Sequence, residues 1–487
     1  MAGYGDSQNR ITVAVGMGSD LPLEAETEVK DGLQTPTYPS YATQHGSGLS
    51  TASFGHRLVI ACLSAINAVS IGPTQEAGTA YFSVSGTQYL LSNTGLMLGI
   101  AFAPMALNPL SELLGRVKTF GISMSLYTLL FIPQTLTRSY AGFVISRLLI
   151  GVFGSVASSM IAGTLVDMYG SKTRGRAMNA FTLSIFIGQG VGPAIAAHIA
   201  EKTDYRWVWG YQGIASAVGL AWYLSVAKET RPSLPPVEFD DESHAISKRW
   251  RHLLDAISVS ITRPFVYLTT EPIVIALSLW VGFAWGVIFL FASSVFVVFG
   301  SYGFSVSECS LFLIPVAIGG CLASVASLHQ DHIYSRASHR ASPAKAAPEA
   351  RLHHPCVGGV MLAAGLWFYA WTARPSIHWI VPGIALVIVN AGTFSIYLGV
   401  YSYLSDAYEH FSSSANASQS FVRNVLGAVF PLFARRLYQA LGPPQAGSIV
   451  AAFATILAAV PFLLVRYGAV LRARSRATSE IQALLKS

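Results

Sequence analysis

Charge is scarce in this sequence. Asp, Glu, Lys and Arg make up 11% of its 487 residues while 52% are hydrophobic, where soluble domains carry about 25% charged residues. The mean hydropathy of +0.49 points the same way, and together they exclude an ordinary water-soluble enzyme or binding module. Cysteine is scarce as well: Cys62, Cys309, Cys321 and Cys356 are scattered, with no C-x-x-C pair, which speaks against a disulfide framework or a zinc site. No G-x-x-x-x-G-K-[ST] string occurs, so the phosphate cradle of an ATP-driven pump is missing. Acids are missing too where they would matter most, since the first apolar run contains none between Leu58 and Thr74.

What the chain has in abundance is apolar runs of bilayer length. Crossing a hydrocarbon core takes about 20 apolar residues in a helix, because every backbone group must find its partner within the segment. Six such runs fill the first half, His56 to Thr74, Tyr89 to Leu110, Lys118 to Leu136, Tyr140 to Val166, Ala177 to Ala200 and Trp207 to Ala227. Six more fill the second, Ile273 to Phe299, Ser305 to Leu328, Pro355 to Ala373, Ile377 to Tyr401, Ser412 to Phe433 and Ala446 to Val465. The expected fold is an all-α integral membrane bundle of twelve helices in two six-helix halves, 56–228 and 272–466. A polar cytoplasmic linker, 229–271, joins them, with a disordered N-terminal tail at 1–55 and a short C-terminal tail at 467–487.

The formal net charge of +7 does not mark a nucleic-acid protein, because the basic residues sit between apolar runs rather than on one soluble face. Their distribution sets the orientation instead. Arg116 and Lys118, Lys172, Arg174 and Arg176, the linker cluster, and Arg336, Arg340, Lys345 and Arg351 all fall in alternate loops. Loops rich in Lys and Arg stay cytoplasmic, so both termini are expected inside. Trp207, Trp209, Trp222, Trp371 and Trp379 fall near run ends, as an interfacial aromatic belt requires.

Several strings carry more information than hydropathy. The loop Asn108-Pro-Leu-Ser-Glu-Leu-Leu-Gly-Arg-Val-Lys118 resembles the G-x-x-x-D-R-x-G-R-x-K motif of the major facilitator superfamily, in the P-L-S-E form of its fungal twelve-span drug:proton antiporters, the polyamine and multidrug-like branch. Glu112, Gly115, Arg116 and Lys118 match the acid, the turn and the basic pair, and the resemblance implies a gating latch made in one state and broken in the other. Arg147-Leu-Leu-Ile-Gly151 resembles the R-x-x-x-G motif of the fourth span. An arginine at the bilayer centre costs about 2.5 to 3.5 kcal/mol on insertion scales, so Arg147 should meet a polar partner; a snorkelling side chain near the helix end is the alternative.

Gly188-Gln-Gly-Val-Gly192-Pro193-Ala-Ile-Ala-Ala197 is similar to the antiporter string G-x-x-x-G-P-x-x-G-G, with alanines for its last glycines; in the family this string marks exporters. Gly163-Thr-Leu-Val-Asp167-Met, Arg206-Trp-Val-Trp209, Pro348-Glu-Ala-Arg-Leu352 and Tyr403-Leu-Ser-Asp-Ala-Tyr408 extend the resemblance along nearly the whole chain.

Arg423, in the eleventh run, is a second arginine at membrane depth. With acids scarce there, the cavity is expected to be neutral to positive and its substrate neutral or anionic. Asn93, Gln189, Trp285, Asn390, Tyr397 and Gln419 are the candidate cavity residues. His329, His332, His339, His353 and His354 cluster in one loop but lack the repeated boxes of a di-iron enzyme, so no metal or other cofactor is expected. Asn416-Ala-Ser418 has the glycosylation pattern, on the cytoplasmic side, where it stays unmodified.

These readings converge on a secondary transporter, not an enzyme. The expectation is a plasma-membrane exporter of a small organic molecule (secondary metabolite, toxin or organic acid) coupled to protons, working as a monomer in the lipid bilayer without nucleic acid. The alternatives are a dedicated exporter of an organic-acid anion, a dicarboxylate such as itaconate, and, further off, a membrane metalloenzyme or a transporter-like nutrient sensor.

Overall fold

The computed structural model describes residues 51–168, 171–226, 242–341, 347–408 and 411–475. Both tails, the start of the linker and the side chains of Glu112, Asp167, Lys172 and Arg174 lie outside the described residues.

Helices account for nearly all of it, as expected where no water competes for backbone groups. The chain enters on α1 (Thr51–Val69), turns through a short α2 (Gln75–Phe82) and descends on α3 (Gly86–Leu114). Gly115 then takes φ +94°, a conformation that leaves only glycine unstrained. The third crossing is broken into α4 (Arg116–Leu129) and α5 (Phe131–Leu136), the fourth into α6 (Tyr140–Gly154) and α7 (Val156–Met168). The long α8 (Ser171–Lys202), with Pro193 inside it, and α9 (Trp207–Val226) complete the first half.

The linker, expected as a plain polar connector, carries a helix, α10 (Glu242–Thr270). It packs on α3 of the first half and on helices of the second. The second half runs α11 (Pro272–Gly300), α12 (Val306–Leu311), α13 (Ile314–Ala341), a 3-10 turn at Pro348–Arg351, α14 (His353–Thr372), α15 (Ile380–Tyr408), α16 (Ser412–Leu457) and α17 (Ala459–Arg474). Gly442, at φ 76° and followed by Pro443 and Pro444, which have no N–H to donate, breaks α16, so that one run of 46 residues serves as two crossings.

Among the described residues, eight segments are long and apolar enough to cross a membrane by length and composition, and one of them, Ser412–Ala473, has 62 residues. At 1.5 Å per residue a straight helix of that length would exceed twice the bilayer; the break at Gly442 divides it. The remaining crossings are α1, the broken α4 and α5, and the aromatic-rich α9, which pack among these eight. The fold is the all-α twelve-helix bundle in two halves.

A pseudo-repeat shows at the helix starts. Ser85 and Gln88 form a reciprocal capping box at the head of α3, and Ser305 and Glu308 form the same device at the head of α12, each satisfying two orphan donors. These are the second crossing of each half. The halves meet along α8 with α13 and along α3 with α16. They touch at both ends of the bundle. At the end that carries the linker, Nδ2 of Asn179 donates to the Ser324 carbonyl at 3.1 Å. At the far end, Ser307 donates to Glu201, and a methyl added at Gly72 would collide with the Ala292 carbonyl.

Candidate functional site

Arg147 lies deep in the first half with no solvent exposure. Its Nη2 donates to Oδ1 of Asn93 on α3 at 2.7 Å, and its guanidinium rests 5.0 Å from the centre of the Trp209 ring on α9. The snorkelling alternative is therefore excluded. Close approach of two backbones makes this possible: a methyl at Gly151 on α6 would collide with the Leu96 carbonyl on α3. Nε and Nη1 of Arg147, and Nδ2 of Asn93, find no partner among the described residues. Among the described residues the guanidinium is thus held by one neutral amide and one aromatic face.

Arg423 repeats the theme in the second half. Its guanidinium carbon sits 4.6 Å from the Trp285 ring centre on α11 and 4.8 Å from that of Tyr397 on α15. Nη2 donates to Ser420 at 3.2 Å, while Nε is buried without a partner. Gln419 is one helical turn away on the same face of α16, nearly fully buried, its Oε1 unbonded.

Phe186 reaches this cluster from the other half. Its ring lies 6.0 Å from Trp285 and 5.1 Å from Phe394, both edge-on, the favoured aromatic geometry. Gln189, three residues on along the same face of α8, is buried with Oε1 unbonded.

Of the expected cavity residues, Trp285, Tyr397 and Gln419 thus gather around Arg423, with Gln189 on the facing helix. Asn93 belongs to Arg147. Asn390 bonds to the Leu386 carbonyl of its own helix at 2.7 Å, at a place where α15 packs against Gly319 of α13.

The small residues of α8 have a definite use. A methyl at Gly188 would collide with the Cys62 carbonyl on α1, and one at Gly192 would come within 3.0 Å of Ile66 Cα. One face of α8 is thereby locked onto α1. The other face carries Phe186, which packs against Gly320, and Gly190, which packs against Ala317; both neighbours lie on α13.

Two charge clusters occupy the linker end. In the first half, Nη1 of Arg116 donates to Thr164 at 3.3 Å and Lys118 is exposed; the side chain of Glu112 lies outside the described residues. In the second half, Nε of Arg351 meets Oδ2 of Asp406 at 2.9 Å, with both side chains buried, and the guanidinium stacks on Tyr334 at 3.5 Å. Arg472 on α17 pairs with Glu349 at 2.9 Å, and the Tyr408 hydroxyl donates to Glu271 at 3.2 Å. The end of α15 is thus tied to the 3-10 turn, to α13 and to the residue that opens α11.

A family model, that of the Major Facilitator Superfamily, matches residues 57–431, which takes in both arginine clusters and the α8 seam. The chain belongs to this superfamily. It is a membrane transporter rather than an enzyme, and fungal efflux pumps are among its curated relatives. Efflux pump atB of Aspergillus terreus is 32% identical over 394 residues, 77% of this chain and 83% of the relative. Efflux pump FUB11 of Gibberella moniliformis is 30% identical over 419 residues, 83% of this chain and 70% of the relative. Among solved structures, the proton:xylose symporter XylE matches with a TM-score of 0.60 at 14% identity, covering 85% of this chain and 95% of that one; at that identity the likeness is one of fold.

Within the superfamily frame, two features were not found from the sequence. Phe186 is one phenylalanine in an apolar helix and carries no signal. The Arg351–Asp406 pair joins two strings that were read separately. A signal for it existed: Asp167-Met-Tyr169 in the fourth crossing recurs as Asp406-Ala-Tyr408 in the tenth, the equivalent place in the second half.

Proposed function

We propose that this chain exports a small organic molecule, a secondary metabolite, toxin or organic acid, across the plasma membrane in exchange for protons. The linker end and both termini face the cytoplasm in this reading, and one chain suffices. Residues 56–228 and 272–466 act as the two rocking bodies, with 229–271 as the tether between them. The efflux pumps among its relatives support the outward direction.

The observation that carries the reading is the double face of α8. Gly188 and Gly192 bind it to α1 as part of one body, while Phe186 and Gly190 press on α13 of the other. The string that marks exporters in the resembling family therefore forms part of the seam on which two bodies can part. Substrate would occupy the centre between them, where Arg423, Trp285, Tyr397 and Gln419 sit. The loop around Gly115, Arg116 and Lys118 would act as the latch at the cytoplasmic end.

Inside-out plasma-membrane vesicles from cells expressing the chain test this. With the lumen acidified, addition of a panel of neutral and acidic aromatic compounds should release protons for at least one compound, read by recovery of a quenched acridine dye. Gly188→Val vesicles should show no release. Proton release that is absent for the whole panel, or equal in vesicles lacking the chain, would refute the proposal.

A further inference from the structure

We infer that the central site selects a planar organic monocarboxylate, whose single negative charge is taken by Arg423 and whose flat body lies where Phe186 now packs. The inference rests on the export reading for the site's role and goes beyond it in naming the class of cargo.

The charge argument starts from what surrounds Arg423. Among the described residues no carboxylate pairs with it, and its one hydrogen bond goes to the neutral Ser420. Trp285 and Tyr397 lie side by side, ring centres 5.3 Å apart, and flank the guanidinium at 4.6 and 4.8 Å, which orients the fork without neutralising it. The edge that carries Nε is left unbonded. A guanidinium edge of this kind matches a carboxylate with two parallel N–H donors. A cationic cargo would instead add a second positive charge to a buried site.

Valence follows from the separation of the two arginines. Arg147 is engaged with Asn93 and Trp209, none of which Arg423 touches. Among the described residues, the side chains that hold each guanidinium come from its own half. One cation faces the seam between the halves from the second half, so one negative charge balances it. A dicarboxylate would bring a second charge to a rim of phenylalanines, tryptophan and tyrosine.

The body of the cargo follows from the rest of the rim. Phe186 touches Trp285 and Phe394 across the seam. Parting the halves withdraws Phe186 and uncovers aromatic surface beside the Arg423 edge. A flat ring takes its place with similar edge and face contacts. The unbonded Oε1 atoms of Gln419 and Gln189 accept from a hydroxyl or N–H on that ring, which meets the rule that buried acceptors need partners.

Four probes separate the elements of this inference: 2-naphthoate, its neutral methyl ester, 2-naphthylmethylammonium and succinate. Binding to the purified full chain in lipid nanodiscs is measured by calorimetry. The expected result is naphthoate binding at least tenfold tighter than each of the others. Arg423→Gln should remove the preference over the ester while leaving ester affinity within about twofold. Arg423→Lys, which keeps charge but not the fork, should weaken naphthoate about tenfold, and Phe186→Ala, which removes the ring that the cargo replaces, should leave naphthoate and ester bound at least as tightly. Ester or ammonium binding as tightly as naphthoate, succinate binding more tightly, no binding by any probe, or a preference that survives Arg423→Gln overturns the inference. Its failure is distinguishable from that of the export reading: a neutral compound pumped at full rate by Arg423→Gln removes the inference alone, whereas naphthoate that binds as expected but is never moved removes the export reading alone.

Discussion

Arg351 and Asp406 meet at 2.9 Å with side chains only 7% and 6% exposed, although 55 residues separate them in sequence. The pair ties the end of α15 to the turn before α14. A buried pair of this kind adds little net stability relative to an apolar replacement, but breaking it leaves an uncompensated charge at a cost of about 3 to 5 kcal/mol.

The consequence is an asymmetry between single and double substitutions. Asp406→Leu alone should strip the pair and lower the melting temperature of the detergent-purified protein sharply. Asp406→Leu with Arg351→Met should recover most of the loss. A double variant no more stable than the worse single one would show that the pair is not the unit that matters.

Asn93 offers a second test. Among the described residues, it accepts the one hydrogen bond that the Arg147 guanidinium donates. Asn93→Ala should destabilise by about 1.5 to 3 kcal/mol, the range for a hydrogen bond to a charged group. Asn93→Gln, which can still reach, should cost less. Equal melting temperatures for Asn93→Ala and the parent would mean that Trp209 alone holds the arginine.

Glycine substitutions should rank by what a methyl meets. At Gly383, near the start of α15, nothing lies within 4 Å, so Gly383→Ala should stabilise by up to about 1 kcal/mol through helix propensity. Gly192→Ala must push Ile66 aside by a few tenths of an ångström and should be mildly destabilising. Gly188→Ala and Gly151→Ala collide with carbonyls of neighbouring helices and should be the most harmful. Melting temperatures of the four variants give the order directly.

The sequence reading succeeded where one physical signal sufficed. Apolar runs announced the twelve crossings. It fell short where the signal was shared between distant segments. Asp406 and Arg351 were each quoted in a motif, yet nothing in either string says which partner the fold delivers. Asn390 was chosen for its polarity and bonds its own backbone, a choice that helices offer any short amide. The helix α10 was hidden by a low-hydropathy, charged composition that also describes a plain linker.

At the linker end, Phe102 of the first half, Phe421 of the second and Phe265 of α10 form a chain of edge-on contacts, with ring centres 5.1 and 5.0 Å apart. The middle ring joins both halves to the tether. Phe421→Ala should open this end, raising the labelling rate of a cysteine placed at Ser420 by a membrane-impermeant maleimide in inside-out vesicles several-fold. An unchanged rate would assign the closure to other contacts.

The central claim is that two bodies part alternately at the linker end and the far end around the Arg423 site. In a background without Cys62, Cys309, Cys321 and Cys356, cysteines at Asn179 and Ser324 span the first seam, and cysteines at Glu201 and Ser307 span the second. Flexible bis-maleimides should cross-link each pair. Either cross-link alone should stop vesicle proton release driven by an active panel compound, while single-cysteine controls treated alike continue. Release that proceeds at the control rate with either seam fully cross-linked would contradict the account.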